Sequence, residues 1–458
     1  MPLSGWPVTK DALEPWLAQA EELLNLGPGP YDATLWDRIG HTPPEPPLSE
    51  TAFRTVFWKF ARSRRSVTDI MRFGADFAAD PPDGVRVLTN ATVTRILTDT
   101  EGRSVTGLEA RSLAGGRVEV AAPICILAAS TIENARLLLL SRDADPRGLG
   151  NTHDTVGRYL TDHPTTTIAR FDKEAAADLA ARFGLYGYRE GGRTHVYMHG
   201  LALDPAWQRA EHALNGALFV NEERADDDPF TAAKRILKRQ SPSVLKDAMS
   251  VARSPVRIVR GATARAIERN YIPRPISRVI VDVALRLFPN TVARDFQNGR
   301  LPVKLSGLRI EATTEQPPLP ENRVTLSDKR DAFGLERPFV FWTAGEAARA
   351  NLLRIGQQFA AATTGLGLPR PQLSDWVVDA APDRAVTIDL GHMMGTTRMS
   401  QRPDEGVVDT DCKVHGVEGL YAAGGSVLPT ASHVNPTLMM IALALRLADH
   451  LAARQPRG

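Results

Sequence analysis

Two residues near the C-terminal end of the chain, His392 and Asn435, have side chains suited to a proton acceptor and its hydrogen-bonding partner. An imidazole can take up a proton near neutral pH, and an asparagine amide can donate or accept a hydrogen bond. An isolated histidine is more often a structural hydrogen-bonding group. The pair alone is therefore compatible with a catalytic role and with a structural one.

The segments around this pair predict a strand, a tight turn and a helix. Residues 419–423 (GLYAA) form a short apolar run that indicates a buried strand, and residues 424–426 (GGS) are small enough for a ligand to approach the backbone closely. Asn435 and Pro436 are favoured residues at a helix N-cap and at the first helical position, so they predict the start of the apolar helix that follows. The N-terminus of that helix would favour an anion or an electron-rich carbonyl.

A second strand–turn–helix segment lies earlier in the chain. Residues 123–127 (PICIL) are continuously apolar, as expected for a strand in a sheet that is covered on both faces. A small-residue turn follows, and Ser130 with Glu133 predicts a capping box at the start of a helix. This geometry suits a phosphate or a ribose, although close packing of a strand on a helix explains it equally well.

Other patterns predict the elements that carry these segments. Thr9 is expected to cap an amphipathic helix that stops at Gly27, and residues 67–79 also indicate a helix. Strands are predicted by four segments, residues 53–60, 85–97, 105–112 and 117–120.

Composition limits the class of protein. A chain of 458 residues predicts two closely packed domains, and a net charge of +2 gives no general argument for nucleic-acid binding. Cys125 and Cys412 indicate neither a disulfide framework nor a metal site. The first residues lack the pattern of a signal peptide, and the longest apolar run, residues 438–445, is too short to span a bilayer. We therefore expect a cytoplasmic protein.

The string GHMMGTTRM at residues 391–399, together with Asn435 before the last helix, resembles the C-terminal signature of the glucose–methanol–choline (GMC) family of FAD-dependent alcohol oxidoreductases. The resemblance implies that His392 is the general base for a substrate hydroxyl, that Asn435 orients the substrate oxygen, and that a hydride passes to flavin N5. Asn435 in the place of a second histidine favours a sugar, a polyol or a similar polar alcohol. The electron acceptor is left open.

Residues 90–96 (NATVTRI) and 126–141 (ILAASTIENARLLLLS) resemble the family segment that contacts the adenine and the ribose of FAD. Ser130 stands where the family usually has glycine. His163 follows in a segment that is also similar to the family, and a structural hydrogen bond is its favoured role over that of a ligand. Across the chain, the resemblance implies that FAD is bound by Val93, Ala128, Ala129, Gly424, Gly425, Ser426, Asn435, Pro436 and Thr437.

The fold that the resemblance implies is α/β (α+β), with an incomplete FAD-binding Rossmann-like domain and a substrate-binding domain of antiparallel sheet and helices. Residues 1–50 would form an N-terminal helix and a connecting loop. The FAD-binding domain would consist of residues 51–150 and 381–458, and the substrate-binding domain of residues 151–380.

The G-x-G-x-x-G turn that opens a complete GMC enzyme is not found in this sequence. Residues 148–150 and 365–367 have only part of its spacing. Three explanations follow: a recorded start that is too late, a split enzyme whose partner chain carries the unit, or an inactive fragment.

Residues 234–300 carry 15 Lys or Arg and 4 Asp or Glu, with apolar residues between them. Such a segment can rest on an anionic membrane surface or dock a partner. A solvated helical lid is the interpretation that the sequence alone favours.

Overall fold

The computed structural model describes residues 5–48, 52–63, 73–191, 193–288, 290–292, 295, 302 and 304–454. The helices are α1 Lys10–Leu23, α2 Leu35–Ile39, α3 Phe73–Ala79, α4 Ser130–Leu140, α5 Lys173–Arg182, α6 Pro205–Ala210, α7 Pro229–Leu237, α8 Val244–Ala252, α9 Pro255–Glu268, α10 Arg274–Leu287, α11 Glu346–Gly365, α12 Asp375–Val378 and α13 Thr437–Arg454. The strands are β1 Phe53–Lys59, β2 Thr92–Thr98, β3 Val105–Arg111, β4 Arg117–Ala121, β5 Cys125–Leu127, β6 Thr165–Asp172, β7 Leu185–Glu190, β8 Arg193–Leu203, β9 Gly216–Arg224, β10 Leu305–Thr314, β11 Arg323–Arg330, β12 Glu336–Phe341, β13 Gln372–Leu373 and β14 Leu420–Ala422.

A large antiparallel sheet forms one half of the molecule, in the order β1-β8-β9-β10-β6-β13, with β7 also paired to β8. Helix α11 packs on this sheet, and Phe359 of the helix shares a core with Ile168, Leu218 and Leu308 of the strands. This arrangement confirms the mixed α and β fold with an antiparallel sheet. Strand β1, which lies within residues 51–150, is an edge strand of this sheet.

The other half is built on a parallel pair of strands. In β5 and β14, Cys125 pairs with Leu420 and Leu127 pairs with Ala422. Helices α4 and α13 pack on the pair in a second core, and α1 is anchored to it through the Trp16 indole, which donates to Asp449 at 2.7 Å. Strands β2, β3 and β4 form a separate antiparallel sheet.

The expectation that β5 is covered on both faces is wrong for the residues described. The side chain of Ile126 is 47% exposed, and Ile124, just before the strand, is also exposed. Within the part of the chain that the structure describes, β14 is the strand paired with β5. A parallel strand normally lies between other strands and beneath helices, so its apolar run gave a misleading prediction here.

The other predicted helices and strands agree only in part with the structure. Thr9 caps α1 by accepting from the amide of Ala12. The helix ends at Leu23, earlier than the stop predicted at Gly27, and Asn25 with φ 51° forms the left-handed turn after it. The strands at 53–60, 105–112 and 117–120 are confirmed, whereas the strand predicted at 85–97 begins only at Thr92. Of the helix predicted at 67–79, Phe73–Ala79 is confirmed and residues 67–72 lie outside the described residues.

Both cysteines are buried and free. Within the described ranges, no helix is both long enough and apolar enough to cross a membrane.

Candidate active site

His392 and Asn435 meet at the surface of the parallel-strand half. Nδ2 of Asn435 lies 3.0 Å from Nε2 of His392. His392 is half-buried in the loop before the 395–399 segment, and Asn435 is exposed just before α13. The structure thus brings together the two residues that the sequence predicts as the catalytic pair.

The contact determines which nitrogen of the ring can act as a base. An amide N–H donates, so Nε2 of His392 accepts and carries a lone pair, and the neutral ring holds its proton on Nδ1. That Nδ1 is buried and has no hydrogen-bond partner among the residues described. Burial lowers the pKa of His392, and the nearby carboxylate of Asp162 opposes this shift. The ring is therefore neutral at neutral pH, as a general base must be.

Asp162 holds the loop that carries His392. Its Oδ1 accepts from the backbone N–H of His163 at 2.6 Å and from that of Leu390 at 3.1 Å. Burial raises the pKa of Asp162, and the two backbone hydrogen bonds oppose the shift. Asp162 is thus a positioning residue for the histidine loop, and sequence reasoning did not single it out.

His163 packs edge-on against His392, with ring centroids 5.2 Å apart. Its Nδ1 lies 3.0 Å from the carbonyl oxygen of Ser432, in the segment that leads to Asn435. Burial lowers the pKa of His163 to about 4, so its ring is neutral. The hydrogen bond agrees with the structural role predicted for His163. Through its contacts with His392 and Ser432, His163 links the loop that carries His392 to the segment that leads to Asn435.

The helix after Asn435 begins one position later than predicted. Helix α13 starts at Thr437, and the Pro436 carbonyl accepts its first hydrogen bond, from the Met440 amide. Pro436 therefore occupies the cap position in place of Asn435. The side-chain amide of Asn435 is directed to His392, which explains why it does not cap the helix. Thr437 lies exposed in the first turn beside the pair.

The turn after β5 differs from its prediction in one respect. Ala128, Ala129 and Ser130 are exposed, as a ligand-facing turn requires, but the predicted capping box of Ser130 and Glu133 is wrong. Ser130 has φ 74°, helix α4 has no side-chain cap, and Glu133 pairs with Arg136 at 3.2 Å. Glycine, the family's usual residue at this position, is favoured for a physical reason. The left-handed backbone conformation is higher in free energy for a residue with a Cβ than for glycine.

Asn134 of α4 connects this turn to the turn after β14. Its side-chain oxygen accepts from the amide of Ala129 at 2.8 Å, and its Nδ2 donates to Leu127 O, Ala423 O and Ser426 Oγ. The residue is fully buried. Sequence reasoning missed it, although an asparagine on the apolar face of a helix was an available signal.

In the turn after β14, the three predicted residues have different environments. Gly424 is partly exposed with φ 96°, and a Cβ at this position would meet only the end of Met440 at 3.9 Å, so its backbone is open to a ligand. Gly425 is buried, and a Cβ there would lie 2.7 Å from the Met393 carbonyl, next to His392. Ser426 is also buried, with its hydroxyl bonded to Asn134.

Thr131 and the 395–399 segment connect the loop that carries His392 to the two turns. Thr131 Oγ1 donates to the Met393 carbonyl at 2.6 Å, and Thr397 N donates to Ser426 O at 2.9 Å. These bonds join the histidine loop to both small-residue turns. Val93 lies apart from them, exposed on β2 opposite Ala110 in the separate three-stranded sheet.

These features fit the flavin-bearing part of FAD. The ends of two parallel strands, the exposed turn at Ala128 and Ala129, the open backbone at Gly424 and the helix start at Thr437 all surround one region, and the unpartnered Nδ1 of His392 lies beside it. The printed sequence contains no G-x-G-x-x-G motif. Among the described residues, no group of three or more His, Cys, Asp or Glu could hold a metal ion.

Comparison with known proteins places these residues in context. Residues 77–165 match the family model of the GMC oxidoreductase N-terminal region, and residues 318–444 match that of the C-terminal region. The chain is 24% identical over 368 residues to the fructose dehydrogenase large subunit of Gluconobacter japonicus, covering 80% of this chain and 54% of that protein. It is 28% identical over 375 residues to 2-methyl-1,2-propanediol dehydrogenase of Mycolicibacterium austroafricanum, covering 81% of this chain and 55% of that protein.

The chain thus spans about half the length of these two curated relatives. Among solved structures, an FAD-dependent oxidoreductase from Chaetomium thermophilum superposes with a TM-score of 0.51 at 16% identity, covering 97% of this chain and 80% of that one. At this identity the match supports the fold only.

Proposed function

The chain belongs to the GMC oxidoreductase family, whose cofactor is FAD, and on this basis we propose that it oxidises the CH–OH group of an alcohol to an aldehyde or ketone. The observation that carries the proposal is the contact of His392 Nε2 with Asn435 Nδ2 at 3.0 Å, at the ends of the parallel strands. A neutral imidazole and an amide donor that converge on one point suit a hydroxyl that must lose its proton.

The two residues divide the work on the substrate oxygen. A bound substrate hydroxyl would replace the direct bond between the two residues. It would donate its proton to His392 Nε2, while Asn435 Nδ2 would donate a hydrogen bond to the same oxygen and fix its position. Bound FAD supplies the acceptor for the hydride that leaves the carbinol carbon. The first turn of α13, near Thr437, favours negative charge beside the pair. The proton and the hydride together account for the two hydrogens lost from the alcohol.

The substrate class we propose is a sugar or a polyol. Asn435 presents an amide, which can donate to or accept from a further hydroxyl of the substrate. The names of two relatives point the same way, one being a fructose dehydrogenase subunit and the other a propanediol dehydrogenase.

The test is a visible spectrum of the purified chain with added FAD. Flavin binding is measured by fluorescence quenching, and fructose, a 1,2-diol and a simple alcohol are then added without oxygen. We expect the flavin band to bleach with the polyols and more slowly with the simple alcohol. A chain that binds FAD and is bleached by none of them would contradict the proposed function.

A second candidate is that the chain is one part of the enzyme and receives its dinucleotide-binding βαβ unit from another polypeptide. The observation that favours it is a set of exposed apolar side chains on β5, on the residue just before it and on the three-stranded sheet. They are Val93, Val118, Val120, Ile124 and Ile126. Parallel strands are normally covered on both faces, and exposed apolar patches mark interfaces.

The same titration separates the two candidates. If the folded chain alone binds FAD, the second candidate is wrong. If it binds none, Ile126→Asp provides the decisive variant, because it should leave the fold of the isolated chain unchanged. In protein purified from its native source, the same substitution should abolish flavin incorporation.

A further inference from the structure

The basic segment, residues 234–300, contains the end of α7 and all of α8 to α10, and the exposed surface of these helices is unusually apolar. The sequence alone favoured a solvated lid for these helices. A solvated helix presents polar residues outward, so the exposure of its apolar residues decides between the lid and the docking interpretations.

Helix α10 presents an apolar stripe to solvent. Ile276, Val279, Ile280, Val283 and Leu287 recur at a spacing of three or four residues, which places them on one side of the helix. All five are exposed, and Val279 and Leu287 are 63% and 64% exposed. A lid that is only solvated does not account for this stripe.

The rest of α10 is fixed to the protein. Ser277 and Leu285 are buried, Asp282 pairs with Arg189 of β7 at 2.6 Å, and Asn290 just beyond the helix accepts from the Gly187 amide. The apolar stripe is thus the outer face of a helix that is already docked on its inner side.

Helix α9 extends this surface. Gly261 packs against the Phe230 ring of α7, where a Cβ would lie 2.1 Å from the ring, so this side of α9 is closed. Val256 and Val259 are exposed. Between α9 and α10 lies a cavity of about 510 Å³, and Val256 and Phe288 line it while also being exposed. We define the α9–α10 surface as Val256, Val259, Ile276, Val279, Ile280, Val283, Leu287 and Phe288.

The charges around the α9–α10 surface are largely uncompensated. The acidic residues of these helices already have partners, such as Arg235 for Asp247 and Arg265 for Glu268. Within the described residues, a set of exposed cations makes no ion pair: Lys234, Lys238, Arg239, Lys246, Arg253, Arg269, Arg274 and Arg278. The helices that carry the exposed apolar stripe therefore have a large excess of unpaired positive charge.

We infer that the α9–α10 surface docks on an anionic phospholipid bilayer. The apolar stripe enters the boundary between headgroups and acyl chains, and the excess positive charge of these helices attracts the anionic lipid surface. A second copy of the chain is a poor occupant, because it would bring two cationic surfaces together. The inference does not depend on the proposed oxidation, since it concerns a different part of the molecule.

The test is flotation of the full-length chain with phosphatidylcholine vesicles that contain or lack one-third phosphatidylglycerol. We expect binding to the anionic vesicles only, and release at high salt. Val279→Asp with Val283→Asp should weaken the partition coefficient about 100-fold, because two buried valines are lost. Arg286→Ser should weaken it about 5-fold, at about 1 kcal/mol for one cation, because Arg286 follows Val279 by seven residues and Val283 by three and so lies beside the stripe.

Leu113→Asp is the matched control, because Leu113 is an exposed leucine in the β3–β4 turn and far along the chain from these helices. It should leave vesicle binding unchanged, and circular dichroism and the thermal midpoint should confirm the fold of every variant. No binding to anionic vesicles at low salt would overturn the inference. Sedimentation that shows a dimer abolished by the valine substitutions would overturn it in favour of a second copy.

Discussion

His392 Nε2 and Asn435 Nδ2 lie 3.0 Å apart although 43 residues separate them in the chain. Neither residue belongs to a helix or strand. Their positions depend on Asp162, which binds the backbone beside His392, and on His163, which binds the carbonyl of Ser432. The geometry of the pair therefore depends on Asp162 and His163 as well as on the loops that carry His392 and Asn435.

Replacing His392 with alanine should remove the base and leave the cofactor region intact. We expect His392→Ala to slow flavin reduction about 100- to 10,000-fold, the range typical of general-base catalysis. Stopped-flow measurement of flavin bleaching gives the rate, and fluorescence titration gives FAD affinity. His153→Ala, at an exposed histidine in a surface turn, is the control. A near-normal rate in His392→Ala would remove His392 from the proposed role.

Asn435→Asp should change the pH dependence of the reaction. A carboxylate 3.0 Å from His392 Nε2 favours the imidazolium and raises the pKa of His392, which burial holds low in the native chain. The reactive neutral form is then lost at a higher pH, so the acidic limb of the rate profile should move up by about 1 to 3 units.

Asn435→His, which offers a ring nitrogen without a fixed charge, is the comparison for this variant. We expect its acidic limb to remain near that of the native chain. If the limb does not move in Asn435→Asp, His392 is not the group that titrates.

The sequence predicted the local parts of this site well. Residues 419–426 follow a local rule, an apolar run that ends in small residues, and the strand at Leu420–Ala422 and the turn at Gly424 are confirmed. His392 and Asn435 were also predicted as a pair from the sequence, because their neighbours form a family motif, and the structure brings them within 3.0 Å.

The supports of the site could not be predicted, because they depend on contacts distant in the chain. Thr131 bonds Met393 across 262 residues, and Asn134 bonds Ser426 across 292. The exposure of Ile126 could not be predicted either, since an apolar run indicates a strand and does not reveal whether a neighbouring strand covers it. Exposure of the α10 stripe escaped prediction for a similar reason: periodicity shows that one face is apolar and not which way it points.

Ser130→Gly should stabilise the protein. Ser130 has φ 74°, which costs a residue with a Cβ about 1 kcal/mol more than glycine, and the gain is partly offset by the freedom of glycine in the unfolded chain. We expect the thermal midpoint to rise by about 0.5 to 1 °C. Ser130→Ala is the matched control, because it removes the hydroxyl and keeps the Cβ. An equal rise in both variants would show that the hydroxyl, and not the backbone, is the cause.

Asn134→Leu should weaken both the fold and the cofactor site. Four hydrogen bonds are lost, and the buried carbonyls of Leu127 and Ala423 lose a donor, at a cost of about 2 to 4 kcal/mol in the free energy of unfolding. Because these bonds join the two turns that we propose to face the flavin, FAD affinity should fall as well. Asn151→Leu, at a buried asparagine that bonds the Arg147 carbonyl, should lower stability and leave FAD affinity unchanged. If Asn151→Leu lowers FAD affinity as much as Asn134→Leu does, the hydrogen bonds of Asn134 between the two turns are not what supports FAD binding.

Mild acid should destabilise the chain through its buried histidines. Burial lowers the pKa of His163 and of His199 to about 4 and that of His433 to about 3, each from 6.5. Between pH 6.5 and 4 the unfolded chain therefore binds more protons than the folded chain, so stability falls as the pH decreases through this window. Each histidine contributes about 1.4 kcal/mol per pH unit once its unfolded form is protonated.

The measurement is the thermal midpoint as a function of pH, and His433→Gln is the variant. His433 is buried with Nδ1 unpartnered among the described residues, so a neutral side chain should remove its share of the slope and lower stability at neutral pH only by its packing cost. His212→Gln, at an exposed histidine, is the control for replacing a histidine by glutamine elsewhere in the chain. A slope that is unchanged in His433→Gln would show that His433 is not buried in its neutral form.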